Sequence, residues 1–327
     1  MNLTDQEASL LVQLQKGIEP VARPFESFEG GEAAVLAAAR KFKEAGIVRR
    51  FGAVFDARRL GYRSSLCAVR VPKERLASVA EIVCRENGVT HAYERVADAG
   101  GDFPNFWFTL AERSAVFEKV LDRLAAAVAP ERILVLPATK RFKIDVVFDV
   151  RTRDRDEKVE PRGELPSETA VFIPTAFEEN LIRMMDGDIG FSVRPFDSVA
   201  AKLAVSEGEV LRKVAEWKSS GILRRVGLLL KHREAGFKAN GMCCWNVPEE
   251  QVRDFGRRLA QFPEVTHCYE RPFCPEVPFR LYAMIHRQSV PETRALFARL
   301  TDEAGLPPGQ IFFSTTEFKK TSMAFFK

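Results

Sequence analysis

The sequence predicts an α+β chain built twice. Each unit is read as a winged helix-turn-helix followed by a ferredoxin-like β-α-β-β-α-β domain, with the two ferredoxin-like sheets packed face to face. Three observations carry this. Val89-Thr-His-Ala-Tyr-Glu-Arg95 recurs as Val265-Thr-His-Cys-Tyr-Glu-Arg271, and Gly46-Ile-Val-Arg-Arg-Phe-Gly52 recurs as Gly221-Ile-Leu-Arg-Arg-Val-Gly227. Phe142-Lys143 then recurs as Phe318-Lys319. Landmarks in the same order at a near-constant offset identify two fused homologous units. A duplication kept only for its core would preserve apolar residues. The residues kept here are His, Tyr, Glu and Arg, so the repeated word reads as functional.

The elements follow in order. Thr4-Asp-Gln-Glu7 matches a capping box, and Leu10, Leu11 and Leu14 then form an apolar stripe, so a helix begins at Thr4. A second helix through Ala33–Phe42 ends near Gly46, a natural C-cap. Ile47–Phe55 reads as a strand, the wing of a helix-turn-helix. From Ser65 the pattern runs strand, helix (Leu76, Val79, Ala80 and Val83 on one side), strand (Val89–Val96), strand (Phe106–Leu110), helix (Val116–Val128) and a last strand opening at Ile133–Leu136. The second copy repeats the helical part from Ala176 to about Lys231, with Val210, Leu211, Val214 and Trp217 on one face, and the β-α-β-β-α-β order from Gly241 to Phe325. The expected domains are 1–56 and 57–150 for copy one, a charged linker at 151–168, and 169–231 and 232–327 for copy two.

Composition narrows the class. The 327 residues are 46% hydrophobic and 29% charged, as in a globular protein with sizeable cores. No apolar run reaches the length of a membrane span and no secretory signal opens the chain, so cytoplasm is the expected location and no membrane partner is expected. A net charge of +4 does not diagnose a nucleic-acid binder. The helix at Ala33 offers Ala33, Ala34, Ala37 and Ala38 where base-reading side chains would stand, and its counterpart opens with Glu207 and Glu209. DNA is therefore not an expected partner, and the helical parts are expected to brace the rest. The six cysteines have no C-x-x-C pair or zinc spacing, so no metal site is expected from them.

Two of only four histidines lie in the repeated word. Alternation along a strand puts Val89, His91, Tyr93 and Arg95 on one face, and Val265, His267, Tyr269 and Arg271 on another. Opposed, these faces would enclose a cavity of imidazole, phenol and guanidinium groups; the plainer reading is a polar interface that joins the halves. Further cations could converge there: Arg49, Arg50, Arg224 and Arg225 after the helical parts, and Lys140, Arg141, Lys143, Lys319 and Lys320 in the last strands. Such a cluster suits a ligand with several carboxylates. No phosphate-binding glycine loop or nucleophile elbow is present.

Helix-turn-helix followed by a ferredoxin-like domain resembles Lrp/AsnC-type proteins. Within that group, Gly221–Gly227, Glu264-Val-Thr-His-Cys-Tyr-Glu-Arg-Pro272, Tyr282-Ala-Met-Ile-His286 and Thr316-Glu-Phe-Lys-Lys320 resemble the siroheme decarboxylases, in a fused two-subunit form from the haem d1 pathway. The resemblance covers essentially the whole chain. It implies loss of carbon dioxide from the C12 and C18 acetates of siroheme, giving 12,18-didecarboxysiroheme, with no cofactor beyond the substrate tetrapyrrole and its iron. It further implies histidine as proton donor: His267 and His286 first, His91 at a second or binding site, with Tyr269 and Tyr93 beside them. Carboxylate anchors would be Arg49, Arg50, Arg95, Lys143, Arg224, Arg225, Arg271, Lys319 and Lys320. The family word Trp-Pro-Tyr-Asn-Leu-Phe stands here as Val277-Pro-Phe-Arg-Leu-Tyr282, so Arg280 takes the place of the family's Asn as an anchor. Counted along the two copies, His286 corresponds to Glu112. The expected partners are siroheme and the other half of the chain, an internal pseudo-dimer, with a homodimer as a further state. The competing readings are a ligand-responsive transcription regulator and a non-catalytic haem-binding protein.

Overall fold

The structure, a computed structural model, describes residues 3–144, 147, 170–231, 237 and 239–326. The charged linker and His232 lie outside the described residues. Copy one runs α1 (Asp5–Lys16), α2 (Gly31–Glu44), β1 (Val48–Phe55), β2 (Tyr62–Val69), α3 (Leu76–Arg85), β3 (Val89–Ala97), β4 (Phe106–Arg113), α4 (Phe117–Val128), β5 (Ile133–Pro137) and β6 (Lys140–Ile144). Copy two runs α5 (Ala176–Met185), α6 (Pro195–Leu203), α7 (Glu207–Ser219), β7 (Leu223–Leu230), β8 (Ala239–Trp245), α8 (Val252–Ala260), β9 (Val265–Glu270), β10 (Leu281–Arg287), α9 (Val290–Ala304) and β11 (Gly309–Lys320).

Both helical parts start on a capping box, Thr4 with Glu7 and Thr175 with Glu178. They do not stand as separate units. Leu11, Phe25 and Phe51 of copy one share a core with Leu181, Phe196 and Trp217 of copy two. The strand expected to be a wing does not fold back on its own domain. Instead β1 pairs antiparallel with β7, Gly52 opposite Gly227. This explains the glycine that closes each copy of the Gly-Ile-x-Arg-Arg-x-Gly word. A Cβ on Gly52 would lie 2.8 Å from Met185 O and overlap Gly187 O, and one on Gly227 would lie 2.8 Å from Leu14 O. Each glycine lets its strand approach the end of the other copy's first helix.

The remaining strands form one nine-stranded array, β5-β2-β4-β3-β11-β8-β10-β9-β6. Its centre is a strand exchange: β11 begins beside β8 of its own copy and ends beside β3 of the other. In copy one the same exchange is split, with β5 on β2 and β6 on β9. Because the outermost strands β5 and β6 are separated only by Ala138 and Thr139, the ribbon curls until its ends meet. Each copy's helices cover one side of its own strands, burying Val79, Val83, Phe108 and Leu124 in copy one and Trp245, Leu259, Ile285 and Leu300 in copy two. On the other side Ala68, Trp107 and Leu136 meet Met242, Cys244, Tyr282 and Phe312 in a shared cluster. This cluster joins the two copies.

The exchange also relocates two of the expected anchors. Lys319 Nζ donates to Cys84 O at 2.7 Å and Glu86 O at 2.8 Å, at the C-terminus of α3 in the other copy. Lys143 Nζ donates to Phe262 O at 2.6 Å, just beyond α8. A cation on the last carbonyls of a helix complements both the unpaired acceptors and the helix dipole. The Phe-Lys landmark is thus a docking device, with Phe142 buried against α8 and Phe318 packed on the copy-one core.

Candidate functional site

A cavity of about 590 Å³ lies where the β1–β7 ribbon, the helix-free sheet faces and the segment after β11 meet. That volume suits a small-molecule or cofactor-sized ligand. All five expected catalytic side chains line it: His91, Tyr93, His267, Tyr269 and His286. So do Arg49, Arg50, Arg95, Arg224, Arg225, Arg271 and Lys320. Lys143, Lys319 and Arg280 do not. Arg280 is ion-paired with exposed Glu249 at 3.3 Å and lies over the exposed ring of Phe273, so the idea that it replaces a family asparagine in the site is not supported by its position. Sequence reasoning left out Arg58, Tyr282, Asn240 and Asp186, which also line the cavity, and named Arg141 only as a nearby cation. Nothing in their local sequence sets the first four apart; the curled array brings them in.

The face assignment on β3 and β9 needs a correction. Val89 and Val265 are buried under the helices, while His91 and His267 face the cavity. Alternation fails because each strand carries a one-residue bulge. Val89 opposes Leu110 and His91 opposes the next residue, Thr109, leaving Thr90 as the extra residue. Val265 opposes Ile285 and His267 opposes Met284, leaving Thr266. A bulge of this kind puts two consecutive side chains on one side. The threonine hydroxyl therefore reaches its neighbouring imidazole: Thr90 Oγ1 to His91 Nδ1 is 3.0 Å and Thr266 Oγ1 to His267 Nδ1 is 3.1 Å. The signal was present in the sequence, since both copies of the word read Val-Thr-His.

The same register corrects the partner of His286. With Met284 in the place of Thr109 and Ile285 in the place of Leu110, His286 matches Ala111 and not Glu112. Glu112 matches Arg287 and lies outside the cavity lining. Copy two thus has a second imidazole where copy one has a methyl group, and His286 Nε2 is 3.2 Å from Thr266 Oγ1.

Beyond the bulge the copies mirror each other. Ring centroids are 6.2 Å apart for His91–Tyr93 and 5.9 Å for His267–Tyr269. Arg95 sits 5.1 Å over Tyr93, and Arg271 sits 5.2 Å over Tyr269. Both guanidiniums are buried. Arg95 donates to Phe312 O at 3.4 Å and Arg271 donates to Leu136 O, each a carbonyl of the other copy, while the Nε of each has no hydrogen-bond acceptor among the described residues. Such groups are costly to bury without an anion, and the ring faces recover part of that cost.

Among the described residues, nine cationic side chains and one carboxylate, Asp186, line the cavity. Asp186 holds Arg50 at 3.1 Å, and Arg224 is held by Asp56 at 3.0 Å. Burial pushes the Asp56 carboxyl up, but Arg224 and then Arg58 outweigh it, and the group ends below the usual carboxylate range. The surplus of positive charge is felt by the histidines. Burial, then Lys320 and Arg49, lowers His91 to about 4. Burial, then Arg224 and Arg271, lowers His267 to about 4. Burial also raises the Tyr269 phenol, against the pull of Arg141 and Arg271. Burial among these cations thus favours the neutral form of His91 and His267.

Two copies of one module in tandem, sharing one cationic chamber, define a member of the Lrp/AsnC-like class. Comparison with known proteins narrows this. The AsnC-like ligand binding domain matches residues 59–143 and again 234–319, and the siroheme decarboxylase NirDL-like HTH domain matches residues 178–224. The siroheme decarboxylase of Hydrogenobacter thermophilus is 35% identical over 97% of this chain and 94% of its own. The siroheme decarboxylase beta subunit of Methanosarcina barkeri is 38% identical, but 94% of it covers only 44% of this chain, so it corresponds to one half. A crystal structure of the siroheme decarboxylase NirDL in co-complex with an iron-uroporphyrin III analogue matches with a TM-score of 0.71 at 30% identity, over 98% of this chain and 95% of that one. The chain belongs to the siroheme decarboxylase family.

Among the described residues no helix is long and apolar enough to cross a membrane.

Proposed function

We propose that the cavity binds siroheme and removes the carboxylates of its C12 and C18 acetates, giving 12,18-didecarboxysiroheme. One observation carries the proposal: a shared chamber lined, among the described residues, by nine cations against one carboxylate, in which two His-x-Tyr-x-Arg sets face a common space. A macrocycle with eight carboxylates matches that charge. Arg49, Arg50, Arg95, Arg224, Arg225, Arg271 and Lys320 would hold the carboxylates that stay, bidentate where a guanidinium faces one squarely. Positioning of this sort turns the chemistry into a unimolecular event.

In the reaction, the bond between an acetate methylene and its carboxylate breaks and carbon dioxide leaves. The electron pair delocalises into the macrocycle, and the methylene carbon takes one proton to become a methyl group. His267 and His286 are assigned that proton delivery, with Tyr269 in reserve and His91 and Tyr93 on the other side. A neutral imidazole is a weak acid, so the donor must first be charged. The bound carboxylates supply the condition at His267, because negative charge at the arginines lifts that imidazole back toward its ordinary range. The fused helical parts act as a roof that supplies Arg49, Arg50, Arg224 and Arg225. Anaerobic incubation of the purified chain with siroheme, followed by mass spectrometry, tests this. The expected product has lost two carbon dioxides; siroheme bound but unchanged in mass would leave a binding protein.

A further inference from the structure

The bulged threonine in copy two touches more than its counterpart in copy one. Thr266 is buried, and its Oγ1 lies 3.1 Å from His267 Nδ1, 3.2 Å from His286 Nε2 and 3.2 Å from Met284 O. A hydroxyl has one proton to give and two lone pairs. Met284 O can only accept, so satisfying all three contacts sends the hydroxyl proton to that carbonyl. Both imidazoles must then donate to the hydroxyl, His267 through Nδ1–H and His286 through Nε2–H. The two rings are thereby fixed in opposite tautomers. Thr90 makes one such contact, to His91 Nδ1, and its own proton points toward Thr109 O at 3.5 Å.

Resting on the decarboxylase reading above, we infer that Thr266 is a positioning residue that fixes both histidines so that His267 gains and loses its catalytic proton at Nε2. With Nδ1–H committed to the hydroxyl in the neutral and the cationic ring alike, the ring need not turn between charging and delivery. His286 is held to the same oxygen, so the pair responds as one unit. Copy one has no equivalent pair, because Ala111 stands where His286 does. The unequal chemistry of the halves is thus built into one hydroxyl and one imidazole.

The test separates positioning from activity. Nitrogen-15 spectra of the substrate-free protein near neutral pH, with histidines assigned by single Gln variants, report the tautomers directly. His267 is expected as the Nδ1–H form and His286 as the Nε2–H form. Thr266→Val should mix the tautomers of both, Thr266→Ser should keep them, and Thr90→Val should disturb His91 alone. Observation of Nε2–H at His267 in the native protein overturns the inference, and that arm needs no variant to fold. In turnover, Thr266→Val should bind siroheme as the native chain does yet decarboxylate roughly 10²-fold more slowly, at the low end of what a general acid contributes. Thr266→Ser should restore the rate and the pH profile. A Val variant with native rate and profile also overturns it. A native chain with no turnover would refute the decarboxylase reading while leaving the tautomer result to stand or fall alone.

Discussion

Binding of the polyanion should be accompanied by proton uptake, and the structure sets its size. In the empty cavity His91 and His267 lie at about 4 because burial and the surrounding cations disfavour a further positive charge. A bound octacarboxylate cancels that cationic field and supplies acceptors, so in the complex both rings should rise toward their ordinary value of about 6.5. At about pH 5.5 a group at 4 is roughly 3% protonated and one at 6.5 roughly 90%, so two rings take up as many as about 1.8 protons on binding. Above about pH 8 the same arithmetic gives less than about 0.1. The sign is fixed: the complex binds protons more tightly than the free protein, so acidification through this window favours binding. Isothermal titration in buffers of different ionisation heat counts the protons. The substrate's own carboxylates also titrate, and they contribute equally to a His91→Gln, His267→Gln double variant. The quantity of interest is the difference between the two proteins. Equal proton counts at the lower pH would refute the view that the cationic chamber holds these imidazoles neutral until substrate arrives.

Four further outcomes follow from the geometry. His267→Ala and His286→Ala should each fold and bind siroheme but lower decarboxylation by about 10²–10⁴-fold, as for loss of a general acid, with His91→Ala affecting the rate less or stopping after one carbon dioxide; product masses over time decide this. Arg225→Ala should weaken siroheme binding by about 1.5–3 kcal/mol, whereas Lys319→Ala should lower the thermal midpoint and leave siroheme affinity unchanged, since its ammonium caps a helix. The substrate-free protein should lose stability as pH falls from 6.5 toward 4: a histidine whose folded value lies below its unfolded one stabilises fully above the unfolded value and loses that contribution through this window. After screening at the cavity wall the loss is about 1–2 kcal/mol per ring, read as a thermal midpoint that flattens in the double Gln variant. Gly52→Ala should destabilise by about 1–3 kcal/mol, because the atoms in the way are backbone carbonyls that cannot swing aside; an unchanged midpoint would contradict the close approach of β1 to the end of α5.

Much of the molecule was legible in the residues. The repeated words gave the duplication, capping boxes and apolar stripes placed the helices, and period-2 stretches placed most strands, because these signals are local and each is set by a few neighbouring side chains. The same locality made His91, Tyr93, His267, Tyr269 and their arginines candidates, since chemically rich residues repeated on a strand are visible without a fold. What the sequence could not decide was which side of a strand, and which copy, a residue serves. A bulge depends on the pairing partner, so plain alternation put Val89 and Val265 on the wrong face. Strand exchange depends on the whole array, so Lys143 and Lys319 looked like anchors although they cap helices of the other copy. His286 was matched to Glu112 by counting, and only the hydrogen-bonded register set it against Ala111. The charge of His91 and His267 was likewise a tertiary matter: imidazole alone titrates near neutral pH, and it is the burial beside Arg49, Arg224, Arg271 and Lys320, drawn from β1, β7, β11 and the residue after β9, that holds the two rings at about 4.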